Sequence, residues 1–392
     1  MDYRLLILAL GTFSIGTDSY VVAGILPQVA TSFGTSVAVA AQFVSVYSIS
    51  YAVFTPVMAT VTATWPRRRV LVLGLGAFVA SNVLTATAHM FGLALASRAL
   101  AGLGGAIFTP AASAAAAALV SPQRRGRALA LVLAGLSAAT ALGAPIGTVV
   151  ASLGDWHTTF WLVAALATLA AVGVFTLLPD TAGTPSIPLR AKLAPLGDAR
   201  VAATLATTLL VMLGVFVVYT YISVVFDRAT LGSGTALGAL MAVWGVGATA
   251  GSLKAGSLTD RFGNRFVLNA AVAVLALDFA LLPWTGATPI SAAVALVVWG
   301  LCGWGSVVAQ QHRLVGIDPA LAPILLALNA SAIYLGIGAA GALGALLLRA
   351  IDPHHLPLLG AALIAAGGVV AEVACRANRP AARKRGSIYS GS

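Results

Sequence analysis

Twelve long apolar runs, separated by short turn-forming or basic stretches, set the strongest limit on what this chain can fold into. Only 8% of its 392 residues are charged, whereas a soluble domain carries about 25%. About 20 apolar residues in a helix cross the hydrocarbon core of a bilayer, and the runs lack the period-two alternation of a membrane barrel. We therefore predict an all-α membrane protein, with spans near residues 5–28, 36–62, 69–88, 91–119, 126–152, 158–178, 201–227, 233–258, 266–285, 289–312, 322–348 and 356–375.

The predicted spans fall into two groups of six, with a polar segment between them. Residues 179–199 contain four prolines, four charged residues and no long apolar run. We predict an N-terminal half at 1–178, a cytoplasmic linker at 179–199, a C-terminal half at 200–376 and a basic cytoplasmic tail at 377–392.

The basic residues indicate how the chain is oriented. The net charge is +11, and if the N-terminus is cytoplasmic, 19 of the 22 Lys and Arg residues fall in inner loops and tails, the exceptions being Arg98, Arg228 and Arg349. Cytoplasmic loops of membrane proteins carry such an excess. We therefore expect a multi-pass protein of the cytoplasmic membrane with both termini inside, and we attribute the charge to topology rather than to nucleic acid.

A charged, turn-forming decapeptide at 256–265 has a weaker counterpart 197 positions earlier, at 59–68. Both stretches are short basic turns between two apolar runs, and each would follow the second span of its half. The spacing is about half of the chain, which indicates one structural unit present twice.

The decapeptide carries Gly256, Asp260, Arg261, Gly263 and Arg265 in the pattern Gly-x-Leu-x-Asp-Arg-x-Gly-x-Arg. This pattern resembles the signature loop of the major facilitator superfamily. The resemblance implies a major facilitator fold of two pseudo-symmetric six-helix halves, with this loop between helices 8 and 9. In physical terms, we expect Gly256 to allow a close helix approach, Gly263 to permit a tight turn, and the three charged residues to form a cluster at the membrane surface.

Two charged residues lie inside predicted spans. An ionised Asp at mid-membrane costs about 2.5 to 3.5 kcal/mol on insertion scales, so Asp18 must be protonated, paired or facing water. Arg98, followed by a glycine-rich stretch that resembles the family's fourth-helix motif, lies at a similar depth at about 1.5 Å per residue. We predict that Asp18 is the proton-coupling site and Arg98 its partner. The alternatives are that Asp18 only hydrogen-bonds to neighbouring helices and that Arg98 reaches the outer surface alone.

The fifth predicted span contains Gly143, Pro145 and Gly147. Together with Gly135 they resemble the antiporter motif of the drug:proton exporter branch, although the spacing from Gly135 to Gly143 is one residue short. A proline between two glycines permits a bend where helices touch, so a seam of small packing residues fits these positions equally well.

A set of polar and aromatic residues stands out in otherwise aliphatic spans, and we take it as the candidate substrate cavity, although each member fits packing as well as ligand contact. In the implied fold, helices 1, 4, 7 and 10 line the cavity. An aromatic wall with a few amides suits a moderately apolar ligand. The set is Tyr20, Gln42, Tyr47, Tyr219, Tyr221, Trp244, Trp299, Trp304, Gln310, Asn329 and Tyr334. We rank Asp278 as a structural or interfacial residue and expect Glu372 to extend to the membrane surface.

The resemblance extends to bacterial exporters of chloramphenicol, sugars or purines, and it implies proton-coupled efflux of a small, mostly apolar molecule such as a drug or antibiotic by alternating access. A narrow-specificity exporter of a sugar, purine nucleoside or amino acid derivative is the alternative. We expect a monomer with no cofactor and no metal, driven by the proton gradient. A membrane-embedded enzyme is disfavoured because the chain has no His-Glu-x-x-His, no Gly-x-Ser-x-Gly and no phosphate-binding loop.

Overall fold

The computed structural model describes residues 3–183 and 185–377, and within them twelve helices are long and apolar enough to cross a membrane. This confirms the predicted all-α architecture and number of spans. The helices are α1 (Tyr3–Ser32), α2 (Val37–Val61), α3 (Arg67–Ala86), α4 (Phe91–Ala118), α5 (Arg125–Leu153), α6 (Trp156–Leu177), α7 (Ala199–Tyr219), α8 (Gly234–Phe262), α9 (Asn264–Thr285), α10 (Pro289–Ile317), α11 (Pro319–Leu347) and α12 (Pro353–Arg376).

We call α1–α6 the N-half and α7–α12 the C-half. The connection between them, 178–198, contains a short helix at Leu189–Leu193 and packs against the turn between α2 and α3, where Thr181 accepts a hydrogen bond from the backbone of Arg67. The domain limits themselves stay a prediction. Apart from residue 377, the predicted tail lies outside the described residues. We call the end of the bundle that carries this connection the linker side, and the other end the distal side.

The seventh helix is shorter than predicted. It ends at Tyr219 rather than near residue 227, and two helical turns follow it, at Ile222–Val225 and Asp227–Thr230. Two residues that are two apart on a continuous helix point about 200° away from each other. The hydroxyls of Tyr219 and Tyr221 accordingly donate to backbone carbonyls on two different helices, α1 and α11. These tertiary hydrogen bonds override the apolar pattern.

The predicted loop at 256–265 is almost entirely helical. Helix α8 runs on to Phe262 and α9 starts at Asn264, so Gly263 alone forms the turn, with a φ of 81° that favours glycine. The expected close approach at Gly256 is wrong, because in the described part of the chain a Cβ added there would meet no atom within 4 Å.

Helix α5 contains a wide π-helical turn at Ala139–Gly143, and the α-helix resumes at Ala144–Leu153 with Pro145 in its first turn. Because proline has no backbone N–H to donate and its ring crowds the preceding turn, a wide turn is a low-strain way to continue the helix. The bend that the sequence suggests here is therefore a π-bulge.

On the distal side, α5 and α8 join the two halves. Gly238 faces Val149, and Gly245 lies against the backbone of Thr140. Towards the linker side the same face of α8 continues to Gly256, which meets only open space. Helices α5 and α8 therefore touch on the distal side and separate towards the linker side.

Helices α2 and α11 form the second contact between the halves, again on the distal side. A Cβ added at Gly341 would lie 3.6 Å from the Cβ of Ser45, so the helices nearly touch. Deeper in the bundle, the hydroxyl of Ser331 donates to the carbonyl of Ala52 at 3.2 Å. Glycine and other small residues allow backbones to approach this closely.

Candidate functional site

Asp18 on α1 and Arg98 on α4 form a bidentate ion pair in the interior of the N-half. Nη1 of Arg98 donates to Oδ1 of Asp18 at 2.9 Å and Nη2 to Oδ2 at 2.8 Å, and both side chains are fully buried. Two parallel charge-assisted hydrogen bonds are the geometry that offsets desolvation best. Of the alternatives left open by the sequence, an Arg98 that extends alone to the outer surface is therefore wrong.

Glycines on α4 bring α2 close to the ion pair. A Cβ at Gly102, one turn after Arg98, would lie 3.0 Å from the backbone nitrogen of Tyr51, and one at Gly105 would lie 3.0 Å from its ring. This approach places the ring of Tyr47 5.0 Å from the guanidinium carbon of Arg98. Cation–π contacts of this kind favour a positive charge at the arginine.

The antiporter-like residues of α5 pack against the segment of α1 that carries Asp18. A Cβ at Gly143 would collide with Thr17, and one at Gly147 would lie 2.5 Å from Val21. Pro145 is buried between them and its carbonyl faces α8. These residues therefore do form a packing seam, and that seam fixes the position of α1 against α5.

An aromatic cluster lies where α1, α7, α8 and α10 meet, between the halves. The ring of Tyr20, two residues after Asp18, lies 6.0 Å from Tyr219, 6.1 Å from Trp244 and 6.2 Å from Trp304. Tyr219 also donates its hydroxyl to the carbonyl of Tyr20 at 3.2 Å. Trp299 completes the cluster from inside the C-half, 6.2 Å from Trp244. Five of the proposed cavity residues thus form one aromatic cluster between the halves, and four of them, Tyr20, Tyr219, Trp244 and Trp299, are buried.

Two more proposed residues meet at the contact between α2 and α11. Tyr334 of the C-half stacks on Tyr51 of the N-half with centroids 3.8 Å apart, and Tyr47 lies 6.5 Å from Tyr334. Tyr47 and Tyr334 are therefore part of the distal closure. Sequence reasoning missed Tyr51, although its spacing of four residues from Tyr47 places both on one helix face.

Gln310 and Asn329 form a separate polar group inside the C-half. Thr208 on α7 donates to the amide oxygen of Asn329 at 2.9 Å, and Gln310 donates to the carbonyl of Thr204 at 3.1 Å. A small void lies beside Thr208, Ser306 and Gln310. The structure connects this group to α7 and not to the aromatic cluster.

Tyr221 and Gln42 lie away from the aromatic cluster. Tyr221 follows the break in α7 and donates its hydroxyl to the carbonyl of Gly341 at 2.7 Å, which ties the distal end of α7 to α11. Gln42 is partly exposed near the distal start of α2. Neither position brings its side chain to the ion pair.

The charge cluster expected at the decapeptide contains only one of its three charged residues. Arg265 donates through Nε to Glu372 of α12 at 3.0 Å, and Asn269 and Arg376 also donate to that carboxylate. Among the described residues, Asp260 and Arg261 make no ion pair. Glu372, expected to extend to the membrane surface, joins α12 to the start of α9. No charge pattern in the sequence pointed to this partner, which is 107 residues away.

Asp278 on α9 stands apart from the site. One of its carboxylate oxygens is buried without a hydrogen-bond partner, and on the same helix Val274, Leu277 and Leu281 are exposed. It therefore lies beside the lipid-facing surface of the C-half, remote from the pair of Asp18 and Arg98.

The family model described as Major Facilitator Superfamily matches residues 8–316. An uncharacterized MFS-type transporter of Bacillus subtilis, YbcL, is 30% identical over 92% of each chain. A chloramphenicol resistance protein of Streptomyces lividans is 34% identical over 67% of this chain and 68% of that protein. Among solved structures, a mutant of the nucleoside transporter NupG superposes with a TM-score of 0.72 at 13% identity, covering 95% of this chain and 99% of that one.

Proposed function

Because the chain belongs to the major facilitator superfamily, and is therefore a transporter rather than an enzyme, we propose that it exports a small, mostly apolar molecule in exchange for protons by alternating access. The observation that carries this proposal is the fully buried pair of Asp18 and Arg98, carried partly by the same helix as Tyr20, whose ring joins an aromatic cluster that spans both halves.

Asp18 is the proposed protonation site. While it is ionised, it satisfies Arg98 through two hydrogen bonds. A proton on Asp18 removes one charge of a buried pair, and breaking such a pair from one side costs about 3–5 kcal/mol. Binding of a proton must therefore be accompanied by a rearrangement of the neighbouring helices, which is what coupling to transport requires.

The aromatic cluster between the halves suits a ring-bearing or otherwise apolar substrate. Its members are tyrosine and tryptophan side chains from both halves, and the charge of Asp18, two residues before Tyr20, is neutralised by Arg98. The relative from Streptomyces lividans named for chloramphenicol resistance supports a drug of this kind.

The basic residues support a cytoplasmic linker side. Arg67–Arg69, Arg124–Arg127 and the connection between the halves all lie at that end. With this orientation both termini are cytoplasmic, and the structure is the inward-facing state: it is closed on the distal side and open towards the cytoplasm. We propose that the protein works as a monomer and draws its energy from the proton gradient.

A growth-inhibition panel in an efflux-deficient bacterium tests the proposal. It would span phenicols, dyes, cationic drugs, purines and sugar analogues, and would compare the wild type with Asp18→Asn. Asp278→Asn is the matched control, since it removes an intramembrane carboxylate outside the pair. We expect protection by the wild type and by Asp278→Asn, and loss of protection in well-expressed Asp18→Asn.

Two results would count against the proposal. Protection that persists in Asp18→Asn would remove Asp18 from the mechanism, and protection against sugar or purine analogues alone would favour a metabolite exporter. A direct binding measurement supplements the panel: because proton and substrate compete through linkage, affinity should weaken as pH falls from 8 to 5. A flat affinity over that range would contradict proton coupling at Asp18.

A further inference from the structure

The pair of Asp18 and Arg98 lies wholly within the N-half, so a side chain that contacts both the pair and the C-half gives its charge state a direct route to the other half. Tyr47 on α2 is such a side chain: its ring lies 5.0 Å from the guanidinium carbon of Arg98 and 6.5 Å from the ring of Tyr334. Resting on the proposed function, we propose that Tyr47 is a positioning residue that couples protonation of Asp18 to the distal contact between α2 and α11.

The second observation is a complementary pair of unsatisfied polar atoms in this cluster. The hydroxyl of Tyr47 is buried beside Ser19 without a hydrogen bond of good geometry, and Nε of Arg98 is buried without an acceptor. An unpartnered buried polar group is unfavourable, so both atoms gain from a rearrangement that joins them. One is an acceptor and the other a donor.

The ion pair prevents that rearrangement while Asp18 is ionised, because the carboxylate holds both terminal nitrogens of Arg98. A proton on Asp18 turns one of its oxygens into a hydroxyl and weakens the attraction. The guanidinium then takes the hydroxyl of Tyr47 as an acceptor, and the ring turns away from Tyr334.

The α2–α11 contact depends on that packing. Tyr334 is stacked at 3.8 Å on Tyr51, one helical turn after Tyr47, and both tyrosines of α2 contact it. Withdrawal of the Tyr47 ring leaves the stack supported from one side. Protonation of Asp18 therefore loosens the distal closure, and the ionised pair stabilises it.

The groups around Asp18 leave few other sources of pH dependence. They are Arg98 on α4 and the tyrosines Tyr20, Tyr47, Tyr51 and Tyr334 on α1, α2 and α11, and arginine and tyrosine are residue types with reference pKa values of about 10 or above. On α6, the ring of Phe160 lies 5.3 Å from the guanidinium carbon of Arg98, and one turn before it His157 pairs with Asp155 at 2.6 Å. Histidine is the residue type that most often serves as a pH switch, so His157 requires a control.

Disulfide cross-linking can report the distal closure directly. Ser45→Cys and Gly341→Cys together would place their Cβ atoms 3.6 Å apart, and Val272→Cys and Gly368→Cys, both in the C-half, would place theirs 4.0 Å apart. Disulfides have Cβ atoms about 3.5–4.5 Å apart. Cross-linking of the second pair, the reference pair, measures how the thiol chemistry itself depends on pH. Each pair of cysteines is introduced into the full chain that also carries Cys302→Ser and Cys375→Ser, and the purified protein is used.

We expect the rate of distal cross-linking, relative to the reference pair, to fall about fivefold or more between pH 8 and pH 6, the low end of coupling between sites. Asp18→Asn and Tyr47→Phe should each abolish this response. Tyr51→Phe, the same chemical change one turn away, and His157→Gln should keep it.

The outcomes separate the two proposals. If Tyr47→Phe keeps the wild-type response, or if Tyr51→Phe or His157→Gln loses it, the role of Tyr47 is overturned while the proposed function stands. A wild type without any pH response, or a response that survives in Asp18→Asn, overturns proton coupling at Asp18 and the role of Tyr47 with it.

Discussion

Gly245→Ala should disturb the distal closure more than any conservative change on the surface of α8. The added Cβ would lie 2.6 Å from the carbonyl carbon of Thr140 and closer still to its oxygen and to the Cα of Ala141. All three are backbone atoms, which cannot rotate out of the way as a side chain can. To restore ordinary van der Waals contact, α5 and α8 must separate by about 1 Å at this level.

The magnitude follows from the cost of overpacking, which is about 1–3 kcal/mol. That cost falls on the distally closed state alone, because separation of the halves removes the collision. The equilibrium should therefore shift by about 5- to 150-fold towards the distally open state.

Thiol labelling of Ser45→Cys measures the shift. Ser45 is only 2% exposed in the contact between α2 and α11, away from the site of the substitution, so its labelling by an impermeant maleimide reports closure of the whole distal side. Gly256→Ala is the matched control: it lies on the same helix, gains the same helix propensity and meets no neighbour. The reasoning is refuted if folded Gly245→Ala labels no faster than Gly256→Ala.

Three further predictions concern the stability of the protein in detergent. Arg98→Ala leaves Asp18 buried and unpaired, so we expect it to lose about 3–5 kcal/mol of stability, and a melting temperature equal to that of the wild type would contradict the ion pair. Glu372→Gln should lower the melting temperature, because it removes the ion pair that joins α9 and α12. Adding Arg265→Gln to that variant should lower the melting temperature little further, because both changes remove the same ion pair. Additive losses in the double variant would show that the two residues act separately. Asp198 caps α7, and hydrogen bonds from its arginine neighbour lower its pKa. Its contribution is therefore present at neutral pH and lost as pH falls below about 4, so the melting difference between wild type and Asp198→Ala should vanish in acid and persist at pH 7.

The number and position of the helices were readable from the sequence. Predicted span 4 was 91–119 and the helix is Phe91–Ala118, because membrane insertion depends on the apolarity of about 20 consecutive residues. The common depth of Asp18 and Arg98 was also predictable from the rise per residue. That their side chains face each other with two hydrogen bonds depends on how α1, α2 and α4 pack, which a one-dimensional count does not contain.

The break in α7 shows where local pattern stops being informative. The apolar run continues to Phe226, yet the helix ends at Tyr219, since the hydroxyls of Tyr219 and Tyr221 bond to carbonyls more than a hundred residues away. The proposed cavity residues fall into separate groups in the structure, again because tertiary contacts decide where each side chain lies. The residue types indicated that aromatic side chains would cluster. Only the packing of the helices shows that Trp244 lies beside Tyr20, whereas Asn329 lies inside the C-half.

The sequence by itself determined that this is a twelve-helix transporter of the major facilitator superfamily, because apolarity, helical rise and a local motif are properties of short segments. Only the tertiary structure decided which glycine is a contact, Gly245 and not Gly256, and which side of the bundle is closed. The closed and open states of such a protein share the same helices and differ only in the contacts between halves, whose free energies lie within a few kcal/mol. No segment of the chain encodes that difference alone.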